Sequence, residues 1–205
     1  RAVATRALIR YRDAGCPAPA APSQDWLDRI VQFLIRSGHE ELMDLLRHEV
    51  NIPDDRGAPG WHVNDFPQAA GTKVAVIGSG FAGITAAYRL KQAGLDFTVF
   101  EKNSEIGGVW WENTYPGCRL DTPNFAYSLS FAQKQDWTQQ FSQQPEILRY
   151  LQGVVRRGGI RPNIRVTTKV EALEFDEVKA AWKVTARPAD GGTHVEHFNF
   201  VITAM

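Results

Sequence analysis

The feature that most constrains this chain is the glycine pattern GSGFAG at Gly78–Gly83, which lies between an apolar run and a helical pattern. The run Lys73–Ile77 predicts a short strand, and Phe81–Ala93 predicts a helix. In such a strand, turn and helix, the first glycine permits the tight turn, the second lets the backbone approach a pyrophosphate, and the third lets the helix pack on the strand. Free N–H groups at the helix start then face the anion. The pattern predicts a dinucleotide site, against the alternative of an ordinary glycine-rich turn.

An acidic residue at the end of the next predicted strand narrows the choice of nucleotide. The segment Phe97–Glu101 is apolar and β-branched, which completes a β-α-β unit. Glu101 follows the last glycine by about twenty residues, the spacing at which a carboxylate accepts hydrogen bonds from both ribose hydroxyls. A carboxylate also repels a 2′-phosphate, so FAD or NAD is favoured over NADP at this site. The alternative is that Glu101 is a solvated charge at the strand end.

The later patterns place this unit inside a larger α/β domain. A helix is predicted at Pro145–Arg156, with proline in its first turn. Three β-like stretches follow, at Arg165–Phe175, Ala181–Arg187 and His194–Ala204, and they predict an antiparallel meander whose last strand runs back into the main sheet. The predicted fold class is therefore α/β, a Rossmann-like domain with a parallel sheet and an antiparallel β-meander.

The first part of the chain is predicted to be an α-helical N-terminal extension. Apolar residues recur on one helical face, the stripe Trp26, Leu27, Ile30, Val31, Leu34 and Ile35. A second helix is predicted over residues 39–50. The segment Ile52–Gly71 is rich in proline and glycine and predicts a linker. We expect a boundary near residue 70, with the helical extension and linker at residues 1–70 and the nucleotide-binding domain at residues 71–205.

Composition excludes several other classes of protein. Of the 205 residues, 43% are hydrophobic and 22% charged, and 23 basic residues balance 23 acidic ones. The zero net charge gives no field that would attract a nucleic acid. No apolar run approaches the roughly 20 residues that span a bilayer, and the N-terminus carries no signal-like segment. The sequence predicts a cytoplasmic protein with neither a nucleic-acid nor a membrane partner.

The cysteines and histidines give no sign of a metal site. Cys16 and Cys118 lie far apart and lack metal-ligand spacing, which favours a reducing compartment. His194 and His197 are expected at the surface. The chain begins at Arg1 without a methionine and ends in an apolar stretch, and we expect it to be a fragment of a longer protein.

A second glycine pair favours an FAD site over an NAD site. The stretch GGVWW at Gly107–Trp111 comes soon after Glu101. It resembles the flavoprotein monooxygenases, in which a GG-x-W segment lies along the FAD. Adjacent side chains point in different directions, so only Trp110 is expected to touch the cofactor. The alternative for the tryptophan pair is core or interface packing.

Two further motifs carry a more specific resemblance. The run YPGCRLD ends at Asp121, and FSQQPEILRY spans Phe141–Tyr150. They resemble the YPG-x-x-x-D and SQPEILRY motifs of the Baeyer–Villiger monooxygenases, and the resemblance covers about residues 72–205. The helical extension is similar to that of the hydroxyacetophenone monooxygenase branch. The resemblance implies an FAD- and NADPH-dependent enzyme that inserts one oxygen atom from O2 next to a ketone carbonyl, giving an ester or lactone.

The glycine patterns and the resemblance together give the expected site residues. The predicted cofactor-binding residues are Gly78, Gly80, Phe81, Ala82, Gly83, Glu101, Lys102, Gly108, Val109, Trp110, Asp121, Tyr127 and Val170. Asp121 is also the residue predicted to serve catalysis, since the family's aspartate holds and tunes an arginine beside the flavin. The alternatives are an Asx-turn for Asp121, and simple packing for Tyr127 and Val170.

The sequence departs from the family pattern in what it lacks. The second glycine-rich motif for NADPH, the active-site arginine and the FxGxxxHxxxW fingerprint are not found. The NADPH site is therefore expected mostly outside this chain, and the 205 residues alone are expected to be inactive. The alternatives are a flavin-containing N- or S-oxygenating monooxygenase and a non-catalytic dinucleotide-binding module. The N-terminal helices are a candidate surface for a homodimer.

Overall fold

The computed structural model describes residues 2–16, 23–35, 40–43, 46, 55, 57–124 and 126–205. The chain divides into two compact units, Arg1–Gly57 and Ala58–Met205. All the residues that are predicted to bind a cofactor lie in the second unit. The predicted boundary near residue 70 stays a prediction.

Two helices form most of the described part of the first unit. They are α1 (Ala2–Asp13) and α2 (Gln24–Ile35), and a short 3-10 turn follows at Glu40–Leu42. The Oγ of Ser23 accepts a hydrogen bond of 3.3 Å from the N–H of Trp26, as expected of the residue before a helix. The predicted second helix over residues 39–50 lies largely outside the described residues.

The apolar stripe of α2 contains both buried and exposed side chains. Leu27 and Val31, one helical turn apart, are buried, whereas Trp26 and Ile30 are exposed. The side chains of residues 34 and 35 lie outside the description. The prediction of a buried stripe is therefore confirmed for Leu27 and Val31 and is wrong for Trp26 and Ile30.

The second unit is built on a four-stranded parallel sheet. Its strands are β1 (Lys73–Ile77), β2 (Asp96–Phe100), β3 (Ile164–Arg165) and β7 (Phe200–Thr203), in the order β3-β2-β1-β7. The helices are α3 (Phe81–Gln92), which connects β1 to β2, the short α4 (Val109–Glu112), and α5 (Gln144–Arg157). Because β1 and β2 are adjacent and parallel, their carboxyl ends meet at one edge of the sheet. The predicted glycine turn and Glu101 follow these two ends.

A three-stranded antiparallel meander forms the second sheet. Its strands are β4 (Thr168–Asp176), β5 (Ala181–Pro188) and β6 (His194–Phe198), in the order β4-β5-β6. The predicted meander and its return to the main sheet are confirmed, since β7 pairs with β1. Two of the predicted strands are nevertheless each divided into two shorter strands. The stretch Arg165–Phe175 breaks at Thr167, whose φ is +50°, and His194–Ala204 breaks at Asn199.

Each face of the parallel sheet has its own hydrophobic core. Val74 and Val76 of β1 join a core with α3 and α5, whereas Ala75 and Ile77 join a core with the meander. Side chains alternate along a strand, so a strand buried on both faces is apolar at every position. This explains the continuous apolar run of β1. The α/β Rossmann-like fold class is confirmed.

The described residues contain neither a membrane-spanning helix nor a metal-binding cluster. The helices among them are too short or too polar to span a bilayer. Among the same residues, no group of His, Cys, Asp or Glu side chains could hold a metal ion. Cys16 and Cys118 are both free thiols, the first exposed and the second buried.

Candidate nucleotide-binding site

The turn between β1 and α3 requires glycine at its first and third glycine positions. Gly78 has a φ of +99°, and a Cβ there would lie 2.6 Å from the carbonyl oxygen of Ala204. A Cβ on Gly83 would lie 2.0 Å from the carbonyl oxygen of Gly78. Any side chain at either position would force the backbone apart. The tight turn and the close packing of helix on strand are therefore both present, as the sequence predicts.

The start of α3 presents backbone N–H donors. Gly80 is the residue before the helix and makes no side-chain capping bond, and no acidic side chain lies in the first turn. The first N–H groups of a helix have no partner within the helix, so those of Phe81, Ala82 and Gly83 are available to an anion. Ala82 is exposed and Phe81 half-buried. The helix end therefore faces solvent without a competing carboxylate of its own.

The second glycine pair packs against the first glycine turn. The N–H of Gly107 donates to the carbonyl oxygen of Ser79 at 3.0 Å. A Cβ on Gly108, whose φ is +56°, would lie 3.0 Å from the Cα of Gly80. The two glycine segments thus meet backbone to backbone, with no side chain between them. We refer to this bare backbone at the start of α3 as the glycine notch.

Glu101 is buried beside this notch, with 3% of its surface exposed. Its Oε2 accepts hydrogen bonds from the N–H and the Oγ–H of Ser79, at 2.9 and 2.6 Å. Its Oε1 accepts one from the N–H of Asn103, at 2.8 Å. The alternative that Glu101 is a solvated strand-end charge is wrong, because protein donors surround the carboxylate.

The ammonium group of Lys102 pairs with Glu112 on α4. Its Nζ lies 2.9 Å from Oε1 of Glu112, and the side chain of Asn103 donates to the same oxygen at 3.0 Å. The hydrogen bond and negative charge of Glu112 hold the pKa of Lys102 above its ordinary value. The prediction that Lys102 binds cofactor stays a prediction, and in this structure its side chain is paired with α4.

An aromatic cluster stands beside the start of α3. The indole N–H of Trp110 donates to the hydroxyl of Tyr127 at 3.2 Å, and the Tyr127 ring packs edge-on against Phe81 with centroids 4.9 Å apart. Trp110 is buried, whereas Trp111 is half-buried and Val109 exposed. The two tryptophans therefore differ in environment, as expected of adjacent side chains.

The motif that ends at Asp121 is tied to α5 by backbone hydrogen bonds. The N–H of Gln144 donates to the carbonyl oxygen of Cys118 at 2.9 Å, and the N–H of Leu120 donates to that of Ser142 at 3.0 Å. The side-chain amide of Gln144 also donates to the carbonyl oxygen of Trp110. Gln144 therefore links the YPGCRLD motif, through Cys118, to the GGVWW stretch, through Trp110. No sequence pattern indicated this role.

Asp121 itself is exposed. Its Oδ1 accepts a hydrogen bond of 3.3 Å from the hydroxyl of the next residue, Thr122. The nearby structural bonds are made instead by Asn124, whose side chain exchanges hydrogen bonds with the N–H and Oγ of Ser142, both at 2.8 Å. The carboxylate of Asp121 is thus open to a partner, and its proposed role with an arginine stays a prediction.

Val170 lies on β4 and its half-buried side chain packs against the meander core. The start of β4 is fixed beside Glu101, because the N–H of Thr168 donates to the Glu101 carbonyl oxygen at 2.8 Å. A register irregularity follows between Val170 and Ala172. The backbone of Val170, rather than its side chain, is therefore the part that a nucleotide could contact.

A separate cleft of about 940 Å³ lies between α3, α5 and the segment 131–138. The ring of Tyr88 stacks on Phe131 with centroids 4.1 Å apart. Lys91 donates to the carbonyl oxygen of Gly159 at 2.6 Å, and Lys134 forms ion pairs within the segment and with α5. Both lysines of this cleft are therefore engaged by groups of the fold.

Comparisons with known proteins agree with this geometry. A family model described as an NAD(P)-binding Rossmann-like domain matches residues 76–144. A Baeyer–Villiger monooxygenase of Streptomyces coelicolor is 42% identical over 113 residues, which are 55% of this chain and 22% of that protein. A phenazine N-monooxygenase of Lysobacter antibioticus is 42% identical over 115 residues, which are 54% of this chain and 21% of that protein.

Solved structures give the same result. The crystal structure of OTEMO in complex with FAD and NADP matches 65% of this chain and 25% of that chain, with 34% identity and a TM-score of 0.60. The chain therefore spans about a quarter or less of the length of these relatives.

The topology of the second unit is that of a Rossmann-like α/β domain, and its residues 76–144 match the NAD(P)-binding Rossmann-like family model. Over about half of its length, the chain is a homologue of the Baeyer–Villiger monooxygenases. The resemblance predicted from its motifs is thereby confirmed.

Proposed function

We propose that the second unit binds FAD, and that the chain supplies the FAD-binding portion of a Baeyer–Villiger monooxygenase. The observation that carries the proposal is the bare glycine backbone at the N-terminus of α3, where the N–H of Ser79 donates to the buried carboxylate of Glu101. Bare backbone, free N–H donors and an acidic residue are the three elements that a dinucleotide requires. The relatives whose names or structures include FAD support the choice of FAD over NAD.

Each part of the site has a role in holding the cofactor. The N–H groups at Gly80–Gly83 bind the pyrophosphate, and Glu101 accepts a hydrogen bond from the ribose. The backbone of Val170 contacts the adenine, because β4 starts next to Glu101. Trp110 and Tyr127 form an apolar wall near the helix start, and the exposed Val109 covers the ligand beside it.

The whole protein's activity is proposed as the insertion of one oxygen atom from O2 next to the carbonyl of a ketone, with NADPH as reductant. When bound, the flavin supplies the redox and oxygen chemistry of that reaction. This chain's residues bind and orient the flavin, and Asp121 orients an arginine toward it through its open carboxylate. The NADPH site is proposed to lie mostly outside this chain.

A second candidate is oxygenation of nitrogen instead of a ketone. The specific observation in its favour is the phenazine N-monooxygenase, which matches this chain at the same 42% identity as the ketone-type relative. Both candidates use the same FAD site, so the site cannot choose between them. Product analysis with a ketone and with an aromatic N-heterocycle distinguishes them.

A homodimer and a cytoplasmic location are also proposed. The N-terminal helices are proposed to mediate a homodimer, since Phe33 and Trp26 on α2 are exposed, at 84% and 56%. The protein is proposed to be cytoplasmic, as its two free cysteines favour a reducing compartment. Size-exclusion chromatography with light scattering tests the dimer, and a fluorescent fusion tests the location.

The FAD proposal is tested by titrating the purified chain with FAD and following the flavin fluorescence. We expect saturable binding that Glu101→Gln weakens by roughly tenfold, because an amide accepts fewer hydrogen bonds than a carboxylate. Glu174→Gln, at an exposed position on β4, is the matched control and leaves the affinity unchanged. A folded chain that binds NAD and not FAD at this site overturns the proposal.

A further inference from the structure

Ser79 is the residue between the first two glycines of the turn, and its side chain is fully buried. Both of its donors, the N–H and the Oγ–H, point at one oxygen, Oε2 of Glu101, at 2.9 and 2.6 Å. The hydroxyl bond is the shorter of the two. The serine therefore does more than fill space in the turn, because it fixes the orientation of the acidic group opposite.

Among the residues that the structure describes, the hydrogen bonds of Glu101 leave a single acceptor position unused. A carboxylate accepts about four hydrogen bonds, two at each oxygen. Ser79 fills both positions at Oε2, and the N–H of Asn103 fills one at Oε1. A buried acceptor is costly when it stays unpaired, so the remaining position at Oε1 favours a ligand that brings one donor.

We propose that Ser79 is a positioning residue that locks the Glu101 carboxylate, so that Oε1 receives a single ribose hydroxyl of the nucleotide. The inference rests on the proposed FAD function, because the ribose is that of the bound FAD. It revises the expectation from the sequence, in which the carboxylate served both hydroxyls. Without the serine hydroxyl, Oε2 regains an open position and the carboxylate can turn to either ribose oxygen.

The test compares three nucleotides, ADP, 2′-deoxy-ADP and 3′-deoxy-ADP, by calorimetric titration of the 205-residue chain. In the unchanged chain, removal of one ribose hydroxyl weakens binding by roughly tenfold and removal of the other by less than about threefold. In Ser79→Ala, ADP binds roughly fivefold more weakly, and the two deoxy nucleotides differ from each other by less than about twofold. The loss of discrimination is the readout that a merely structural role would not change.

Ser142→Ala is the matched control. Ser142 is also fully buried, and its Oγ–H also donates at 2.6 Å to a buried carboxylate, that of Glu146. Its replacement lowers stability and leaves the discrimination between the deoxy nucleotides as it is in the unchanged chain. If Ser79→Ala does not fold, Ser79→Cys keeps the shape with a weaker donor and gives the same loss of discrimination.

Three outcomes overturn the inference. In the first, Ser79→Ala weakens all three nucleotides by the same factor, which makes the serine purely structural. In the second, the unchanged chain discriminates against both deoxy nucleotides equally. Either result leaves the FAD function standing. In the third, the unchanged chain binds neither FAD nor ADP, and the proposed function fails together with the inference.

Discussion

Gly108 lies directly against Gly80, so close that a Cβ on Gly108 would be 3.0 Å from the Cα of its neighbour. The two residues belong to separate glycine patterns, one in the first turn of the β-α-β unit and one after β2. Their contact explains why the second pattern needs glycine at position 108, whereas a Cβ on Gly80 would lie 3.7 Å from the Cα of Gly108, an ordinary contact. The first prediction follows from this contact.

Gly108→Ala is expected to destabilise the second unit and to weaken FAD binding. The φ of +56° strains an alanine by about 1–3 kcal/mol, and its methyl group also enters the notch. Gly117→Ala is the control, because Gly117 has a φ of +82° and nothing within 4 Å of its Cβ position. Urea unfolding measures the cost of the backbone strain, and FAD titration measures the effect of the added methyl group on binding. Equal FAD affinity in the two variants would contradict the proposed notch.

Glu146 is expected to make the stability of the second unit depend on pH in the acid range. Burial disfavours its charge, but hydrogen bonds from Ser142, Thr138 and Lys134 outweigh burial and lower the pKa to about 2. A lowered pKa means that the stabilisation is complete above the ordinary value of 4.5 and is lost as the pH falls towards 2.

Glu146→Gln should therefore lower the free energy of unfolding by on the order of 2 kcal/mol at pH 7 and much less at pH 3. Urea unfolding between pH 3 and pH 7 measures the difference. Glu174→Gln serves as the control, since its exposed pair with Lys183 contributes little in water. A constant difference between Glu146→Gln and the unchanged chain across this range would disprove the prediction.

Asp121→Asn is expected to separate binding from catalysis in a holoenzyme that oxygenates a ketone. The side chain is exposed and bonds only to Thr122 among the contacts described, so FAD affinity and melting temperature should change little. Turnover of the ketone should fall by about a hundredfold, because the arginine loses its anionic partner. Steady-state kinetics beside FAD titration measures both. The role assigned to Asp121 is rejected if turnover is unaffected.

In the first unit, Leu27→Ala and Phe33→Ala are expected to behave differently. Leu27 is buried, and its truncation should cost about 2–5 kcal/mol, whereas Phe33 is 84% exposed and its truncation should have little effect. Hydrogen exchange over Gln24–Ile35 reports the stability of α2. Exchange in the unchanged chain as fast as in an unstructured peptide would show that the helix is not held by this burial.

The sequence predicts those parts of the fold that local patterns encode. Strand β1 and helix α3 carry their own apolar periods, and glycines mark the turn between them. The bond between Ser79 and Glu101 has no such signal, since it joins residues from the ends of two different strands. The same holds for Gln144, which a helix pattern describes as one more polar position at the start of α5.

The two breaks in the predicted strands also depend on contacts between distant residues, which local sequence patterns do not encode. Apolar and β-branched residues continue through Thr167 and lie on both sides of Asn199, so the β pattern alone predicts unbroken strands. Thr167 adopts a positive φ, and its N–H donates to the carbonyl oxygen of Asn103 at 2.7 Å. Tertiary hydrogen bonds of this kind decide where a strand changes sheets, and they are invisible to periodicity.

Asn199 is the point where the antiparallel meander passes into the parallel sheet. Its N–H donates to the carbonyl oxygen of Lys73 at 2.9 Å, and its Oδ1 accepts from the N–H of Lys73 at 2.8 Å. The two hydrogen bonds therefore anchor the end of the meander to the amino end of β1, the end of that strand opposite the glycine turn.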